Sequence, residues 1–175
     1  MPRYAAFLRG VSPTNARMPA VKSALEAAGF TEVRTLLSSG NVVFSARAGG
    51  AEEQLARRVE DALEAGLGRS FRTFIRSAAH LDTVLASDPF SPLALPSGAK
   101  RVVTFLGMDA PQSLRFPIVL DDARIISARG REAFCFYVPG REGPRFMTLL
   151  ERTFGKEITT RTWETVRKTC AACAL

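Results

Sequence analysis

The chain has 175 residues, of which 46% are hydrophobic and 23% charged, and its net charge is +7. This composition excludes a disordered chain, and the length suffices for a core shared by one domain or by two small halves. No apolar run approaches the roughly 18–20 residues of a membrane span, and the apolar stretch at the N-terminus is too short for a signal peptide.

The first half of the chain predicts six elements in the order βαββαβ. An apolar run over 3–9 predicts a buried strand, and a helix over 18–28 ends at Gly29. Two strands join at Ser38–Asn41, where Gly and Asn tolerate the positive φ of a tight hairpin. The remaining elements are strands over 32–37, 41–45 and 71–76 and a helix over 51–66. This order is typical of ferredoxin-like folds.

The second half predicts the same order after a proline-rich connection. Ser77 caps a short helix, and the connection over 88–100 is the candidate boundary. The predicted elements are strands over 101–107, 123–128, 133–138 and 157–160, a short helix or loop over 109–116, and helices over 145–154 and 162–173. The expected fold class is therefore α+β, with two tandem ferredoxin-like βαββαβ halves, 1–87 and 101–175, the second ending in a C-terminal helix.

The cysteines predict packing and a reducing compartment. Three is an odd number, and a domain of this size does not need disulfides, so we expect a cytoplasmic setting. Cys170 and Cys173 form a C-x-x-C pair at the end of the last helix, where the helix dipole raises a thiol pKa. Together with Trp163 and Val166 they fall on one apolar stripe. We therefore favour burial over redox chemistry or metal binding.

No catalytic or cofactor motif stands out. His80 is the sole histidine and is expected near the start of a helix, without a nucleophile and acid that would complete a triad. The chain contains no P-loop, no G-x-G-x-x-G after the first strand and no G-x-S-x-G elbow. No metal and no cofactor are predicted.

Polar residues at strand–loop junctions form the candidate site. Arg9 and Gly10 end the first strand, Ser39–Asn41 form the first hairpin turn, and Thr159–Trp163 lead into the last helix. Thr162 is a candidate N-cap, and Arg161 beside a helix N-terminus would favour an anion. The alternative is that the threonines are ordinary caps and Trp163 is ordinary core.

The same segments resemble a bacterial family known as domain of unknown function 1697. The resemblance lies in FLRGVSPTN (7–15), in Val33 and Thr35 followed by SGNVVF (39–44), in DPF (88–90), and in TTRTWETV (159–166). It implies two ferredoxin-like halves and no established activity. Where the family has a glycine pair after the first strand, this chain has Ser12–Asn15, and Thr162 and Glu164 replace asparagines. The ligand-binding residues proposed on this basis are Arg9, Gly10, Asn15, Ser39, Gly40, Asn41, Thr160, Arg161 and Trp163.

Three hypotheses for function follow, in order of preference. The first is a binding module for an anionic ligand, either a phosphorylated small molecule or RNA, which the net charge favours. Sheets that bind RNA present exposed aromatic side chains, but the apolar neighbours of the candidates suggest core; these are Phe44, Phe105, Phe134 and Phe136. The second is a structural or interaction protein without catalysis. The third is an enzyme with a polar site built from the SGN turn and the TTR segment. The partner is thus an anionic small molecule or nucleic acid and not a membrane, and the oligomeric state stays open.

Overall fold

The fold was analysed in a computed structural model, which describes residues 1–47, 50–140 and 145–174. It is a mixed α/β structure with two antiparallel sheets. The chain divides into two compact units, Met1–Ala86 with Arg167–Leu175 (unit 1) and Ser87–Val166 (unit 2). Within the described ranges, no helix is both long and apolar enough to cross a membrane.

Unit 1 is built from the first four strands. The elements are β1 (Arg3–Leu8), α1 (Met18–Ala27), β2 (Thr31–Leu36), β3 (Asn41–Ser45), α2 (Glu52–Leu67), β4 (Thr73–Ser77) and α3 (Ala78–Ser87), the last of which ends at the boundary with unit 2. The sheet order is β2-β3-β1-β4. Side chains of β1 and β3 such as Leu8, Val42 and Phe44 form a core with Val21 and Leu63 of the two helices, because alternate strand residues share one face.

Unit 2 holds the other five strands. Its elements are β5 (Lys100–Leu106), β6 (Ile118–Leu120), β7 (Ala123–Arg129), β8 (Glu132–Tyr137), α4 (Arg145–Phe154) and β9 (Ile158–Thr162), in the sheet order β6-β7-β8-β5-β9. Leu149 and Leu150 of α4 pack with Val102, Ile125 and Cys135 of the sheet. One face of this sheet is therefore covered by α4.

The last helix, α5 (Trp163–Cys173), passes from unit 2 into unit 1. Its end belongs to unit 1 because Arg3 Nε donates to the carbonyl oxygen of Cys173 at 3.1 Å and Arg3 Nη2 to that of Ala172 at 3.4 Å. The sequence placed the whole helix in a second half over 101–175, so the structure differs there. The domain boundaries themselves, 1–87, 88–100 and 101–175, stay a prediction.

The mixed α/β class and the C-terminal helix are confirmed, and the element types agree along most of the chain. The stretch after β5 shows one difference. Residues 109–116, predicted as a short helix or a loop, form a loop. The short strand β6 then follows where no element was expected. The tandem ferredoxin-like arrangement is not confirmed, since the described residues of unit 2 include no helix between β5 and β6, its first two strands.

Candidate functional site

The loop after β1 is closed by a side chain of its own. The Asn15 amide Nδ2 donates to the carbonyl oxygen of Gly10 at 2.7 Å, and its Oδ1 accepts from the Ser12 N–H at 2.8 Å. The Arg9 N–H donates to the Arg72 carbonyl oxygen of β4 at 2.9 Å. Gly10 is exposed and has a φ of +78°. The Asn15 amide thus holds the loop in shape.

The SGN turn is packed directly against the end of β1. The Leu8 N–H donates to the Gly40 carbonyl oxygen at 2.8 Å. Asn41 is fully buried, and its Nδ2 donates to the Leu36 carbonyl oxygen at 3.3 Å and to Ser39 Oγ at 3.2 Å. The preceding Leu37 is 54% exposed at a φ of +59°, an uncommon conformation for a leucine. These contacts fix the geometry of the turn.

The TTR segment lies on β9 and at the start of α5, in unit 2. Arg161 Nη1 donates to Thr159 Oγ1 and to the Thr160 carbonyl oxygen, each at 2.8 Å. Burial lowers the pKa of Arg161 to about 10, so its guanidinium stays charged at neutral pH. Thr162 Oγ1 accepts from the Thr165 N–H at 3.2 Å, which is the predicted N-cap contact.

Trp163 is core, as the alternative interpretation expected. It is 4% exposed, and its ring lies 5.2 Å from that of Phe90 and 6.5 Å from that of Phe134, both at steep angles. Edge-to-face pairs of this kind stabilise an aromatic cluster beyond the burial of area. The DPF segment and the TTR segment therefore meet through Phe90 and Trp163.

The predicted site residues fall into two groups. Unit 1 brings together the loop after β1 and the SGN turn, since the Leu8 N–H donates to the Gly40 carbonyl oxygen and a Cβ at Gly40 would lie 3.0 Å from Val11 Cβ. That group contains Arg9, Gly10, Asn15, Ser39, Gly40 and Asn41, and the group in unit 2 contains Thr160, Arg161 and Trp163. The convergence of the two groups on one ligand stays a prediction.

The C-x-x-C pair has the character of packed thiols. Cys170 and Cys173 are 6% and 5% exposed, and Cys170 Sγ donates to Asp82 Oδ1 at 3.1 Å. Burial raises the pKa of Cys170 to about 12 and that of Cys173 to about 11. A thiol with a pKa this high is neutral at physiological pH and is a poor nucleophile. Within the described part of the chain, no three His, Cys, Asp or Glu side chains cluster in a way that could hold a metal ion.

A surface that the sequence did not reveal crosses the sheet of unit 2. Phe136 of β8 lies directly opposite Arg101 of β5 on one side and Arg124 of β7 on the other. Val119 of β6 continues the line beyond Arg124. All four side chains point away from α4, because they alternate with residues such as Cys135 that pack against that helix. We call Arg101, Phe136 and Arg124 the Arg–Phe–Arg row.

The row is accessible, whereas its neighbours on the same face are buried. Arg101, Phe136 and Arg124 are half-buried, and Val119 at the sheet edge is 51% exposed. Phe105 and Phe134 on the same face are 0% and 4% exposed. The apolar neighbours of these three phenylalanines predicted core positions, and Phe136 differs from the other two because it is only half-buried. Its position between two arginines depends on strand register, which the sequence pattern does not supply.

The two arginines of the row differ in how they are held. Arg124 Nη1 donates to the Ala123 carbonyl oxygen at 3.0 Å and also to that of Asp121. The side chain of Arg101 makes no hydrogen bond or ion pair with any residue that the structure describes. A guanidinium has five N–H donors, so both side chains keep donors for an external acceptor. The row therefore offers two positive charges on either side of an aromatic ring.

A cavity of about 340 Å³ lies elsewhere in unit 2, beside the loop over 109–116. The Ala110 N–H donates to the Gly130 carbonyl oxygen at 2.7 Å, which ties this loop to the turn between β7 and β8. The lining residues are Asp109, Ala110, Pro111, Gln112, Leu114, Phe116, Ala128 and Gly130. None of the predicted site residues lines it.

Comparison with known proteins supports the fold and the family. No curated protein sequence matches the chain. The structure is similar to that of the conserved bacterial protein SP0830 from Streptococcus pneumoniae, with a TM-score of 0.72 and 21% identity over 100% of this chain and 99% of that one. At that identity the likeness shows the fold. The family model of DUF1697, a protein of unknown function, matches residues 1–121. The chain therefore belongs to the DUF1697 family.

Proposed function

We propose that the protein is a binding module for an anionic ligand and that the Arg–Phe–Arg row is its contact surface. The observation that carries the proposal is the register of β5, β8 and β7, which sets Arg101 and Arg124 on the two sides of one accessible ring. Arginine is suited to phosphate because its planar fork of donors matches the oxygens of that group.

The charge of the chain supports the same function. The net charge of +7 attracts anions over a distance, and this attraction falls as salt screens it. Asp121, three residues before Arg124, is already paired, because its Oδ2 accepts from Arg145 Nη1 at 2.9 Å. Neither arginine of the row forms an ion pair among the described residues.

The test is calorimetric titration with inorganic polyphosphate and with a single-stranded oligouridylate of about 12 nucleotides, at about 50 and 200 mM salt. We expect binding that weakens with salt, and we expect Arg101→Ala and Arg124→Ala each to reduce the salt slope by about one. Arg152→Ala is the matched control, because Arg152 is exposed on α4. Absence of binding at low salt, or an equal loss in the control, contradicts the proposal.

A structural role for the unit 1 motifs is the second candidate, and one observation favours it. The amides of Asn15 and Asn41 donate to carbonyl oxygens of their own loop and turn. If these residues serve structure alone, Asn15→Ala and Asn41→Ala lower the free energy of unfolding and leave polyphosphate binding unchanged. If they belong to the ligand site, as the sequence predicted, binding weakens beyond the loss of stability. The enzyme hypothesis stays a prediction, without an observation that favours it.

A further inference from the structure

We infer that the ligand of the Arg–Phe–Arg row is a single-stranded nucleic acid, with one base stacked on Phe136 and backbone phosphates on Arg101 and Arg124. This inference rests on the proposed function and names its ligand. The proposed function requires only an anionic ligand, whereas this inference requires a ligand that has both a flat aromatic group and more than one phosphate.

The aromatic requirement follows from Phe136. A site for phosphate alone needs only donors and positive charge, and a phenylalanine ring between the two arginines adds neither. The ring is half-buried, with Arg124 between it and the exposed Val119, whereas Phe134, two residues earlier on the same face, packs against Phe90 and Trp163. Nucleic-acid bases stack on aromatic side chains presented by strands in this way.

The requirement for two phosphates follows from strand spacing. Arg101 and Arg124 lie on β5 and β7, with β8 between them. Neighbouring strands are about 4.8 Å apart, so the backbones of the two arginines are about 10 Å apart. A nucleoside monophosphate brings one phosphate to its base. A polymer brings one phosphate before the base and one after it, and so satisfies both arginines at once.

The requirement for a single strand follows from the shape of the surface. In a duplex the faces of the bases are stacked on one another, and the deep, narrow major groove of A-form RNA does not admit side chains that read bases. A base reaches a ring on a sheet face only when it is unpaired. RNA and single-stranded DNA share this chemistry, so both are tested.

The experiment measures fluorescence anisotropy of labelled oligouridylate and oligothymidylate of about 12 nucleotides at low salt. The variants are Phe136→Leu, which removes the aromatic face but keeps an apolar side chain, and Phe136→Tyr, which keeps the ring. We expect Phe136→Leu to weaken binding about 5- to 150-fold, the range that corresponds to stacking of one base, and Phe136→Tyr to bind within about 3-fold of the unaltered protein. Circular dichroism melting of each variant checks that it is folded.

An abasic oligomer of the same length separates the inference from the proposed function. It carries the phosphates without the bases, so Phe136→Leu should leave its affinity unchanged while Arg101→Ala weakens it. Uridine monophosphate and a blunt duplex should compete poorly with either single strand.

If Phe136→Leu binds both single strands as tightly as the unaltered protein, or if the monophosphate competes as well as the oligomer, the inference is overturned. Salt-dependent polyphosphate binding would then still support the proposed function. Failure of every anion to bind overturns both.

Discussion

At Gly40 the backbone and the surrounding space both require a residue without a side chain. Its φ is +83°, in the left-handed region, and a Cβ placed there would lie 3.0 Å from Leu8 Cβ, from the Leu8 carbonyl oxygen and from Val11 Cβ. Gly40→Ala is therefore expected to lower the free energy of unfolding by about 2–4 kcal/mol, because strain and overpacking add. Urea denaturation measures the change.

Gly10→Ala is the matched control for this prediction. Gly10 has a φ of +78°, close to that of Gly40, but a Cβ there would meet nothing within 4 Å. We expect a loss of only about 1 kcal/mol, from backbone strain alone. Equal losses at the two glycines would show that contact with β1 does not constrain the turn.

The buried thiols predict a stability that falls at alkaline pH. The pKa of Cys170 is about 12 and that of Cys173 about 11 in the folded protein, because burial disfavours their thiolates, whereas a cysteine of an unfolded chain ionises near pH 8.5. The contribution of these thiols to the free energy of unfolding is complete below about pH 8.5, where they are protonated in both the folded and the unfolded state. It is lost as the pH rises towards the folded pKa, by at most about 1.4 kcal/mol per pH unit and thiol.

The measurement for the thiols is urea denaturation between about pH 7 and 10. Cys170→Ala should flatten the pH dependence in part, because it removes one of three buried thiols whose pKa is raised, the third being Cys135. Alkylation by iodoacetamide at neutral pH should be slow in the folded protein and fast in denaturant. Rapid alkylation of both thiols without denaturant would contradict the burial that the structure shows.

Residue chemistry was predicted better than residue role. The sequence indicated that the two late cysteines pack in the core and that Thr162 caps a helix, and the structure agrees. Trp163, which the sequence offered for the ligand site with core as the alternative, is buried. Asn41 was assigned to the ligand site, although an asparagine amide can bond either a ligand or the backbone of its own turn. The bonds of its Nδ2 to Leu36 and Ser39 support the turn, and no sequence pattern separates the two uses.

At the scale of elements, β4 shows how an edge strand is closed by charged side chains. Arg72 directs its carbonyl oxygen to Arg9, so Thr73, Ile75 and Ser77 direct their backbone groups away from β1. Glu60 Oε1 accepts from the Thr73 N–H at 2.9 Å. Glu52 Oε1 likewise accepts from the Ser77 N–H at 3.0 Å. Two arginines donate to carbonyl oxygens of the same edge: Arg72 Nη1 to that of Thr73 at 2.9 Å, and Arg76 Nη1 to that of Ile75 at 2.8 Å. An edge occupied in this way resists pairing with another strand.

Glu60→Ala is the variant that opens the β4 edge. It removes the acceptor of the Thr73 N–H and a partner of Arg72 at 3.3 Å, so we expect unfolding to become easier by about 1–3 kcal/mol. Light scattering at raised protein concentration should also increase, because the uncovered edge can pair between molecules. Glu64→Ala makes the same charge change at an exposed position of α2 and should alter neither quantity. A matching rise in scattering for Glu64→Ala would trace the effect to net charge.

In unit 2 the sequence predicted the types of most elements but neither the shortest strand nor the strand register. Hydrophobic periodicity predicts the type of an element, and it succeeded for α4 and for the strands β5, β7, β8 and β9. It gave no sign of β6, whose three residues are too few to show a period. It also gives no register, and the Arg–Phe–Arg row exists only because three strands separate in sequence align Arg101, Phe136 and Arg124.

At the scale of the whole molecule, both ends of the chain lie in unit 1. Arg3, near the N-terminus, contacts the last turn of α5 and the bulged part of β2 at the same time. Its Nη1 donates to the Glu32 carbonyl oxygen and to Ser45 Oγ, each at 3.1 Å. The carbonyl oxygens at the end of a helix carry partial negative charge, which a guanidinium complements. Such a link between residues 170 positions apart cannot be read from local sequence patterns.

Replacing this arginine tests whether the end of α5 depends on it. Arg3→Met keeps an apolar stem of similar length but removes the donors to Cys173, Ala172, Glu32 and Ser45. We expect faster amide hydrogen exchange in the last turn of α5 and a loss of about 1–3 kcal/mol in the free energy of unfolding. Hydrogen exchange followed by mass spectrometry resolves the helix from the rest of the chain.

Arg34→Met is the control for Arg3, since Arg34 is an exposed arginine of β2 whose side chain bonds no other described residue. It removes the same charge without touching α5, so exchange in the last turn should stay as it is in the unaltered protein. Exchange that rises equally in both variants would mean that net charge, not the contact, protects the helix. Exchange that rises in Arg3→Met alone would show that the N-terminal strand stabilises the C-terminal helix, and so would account for the division of α5 between the two units.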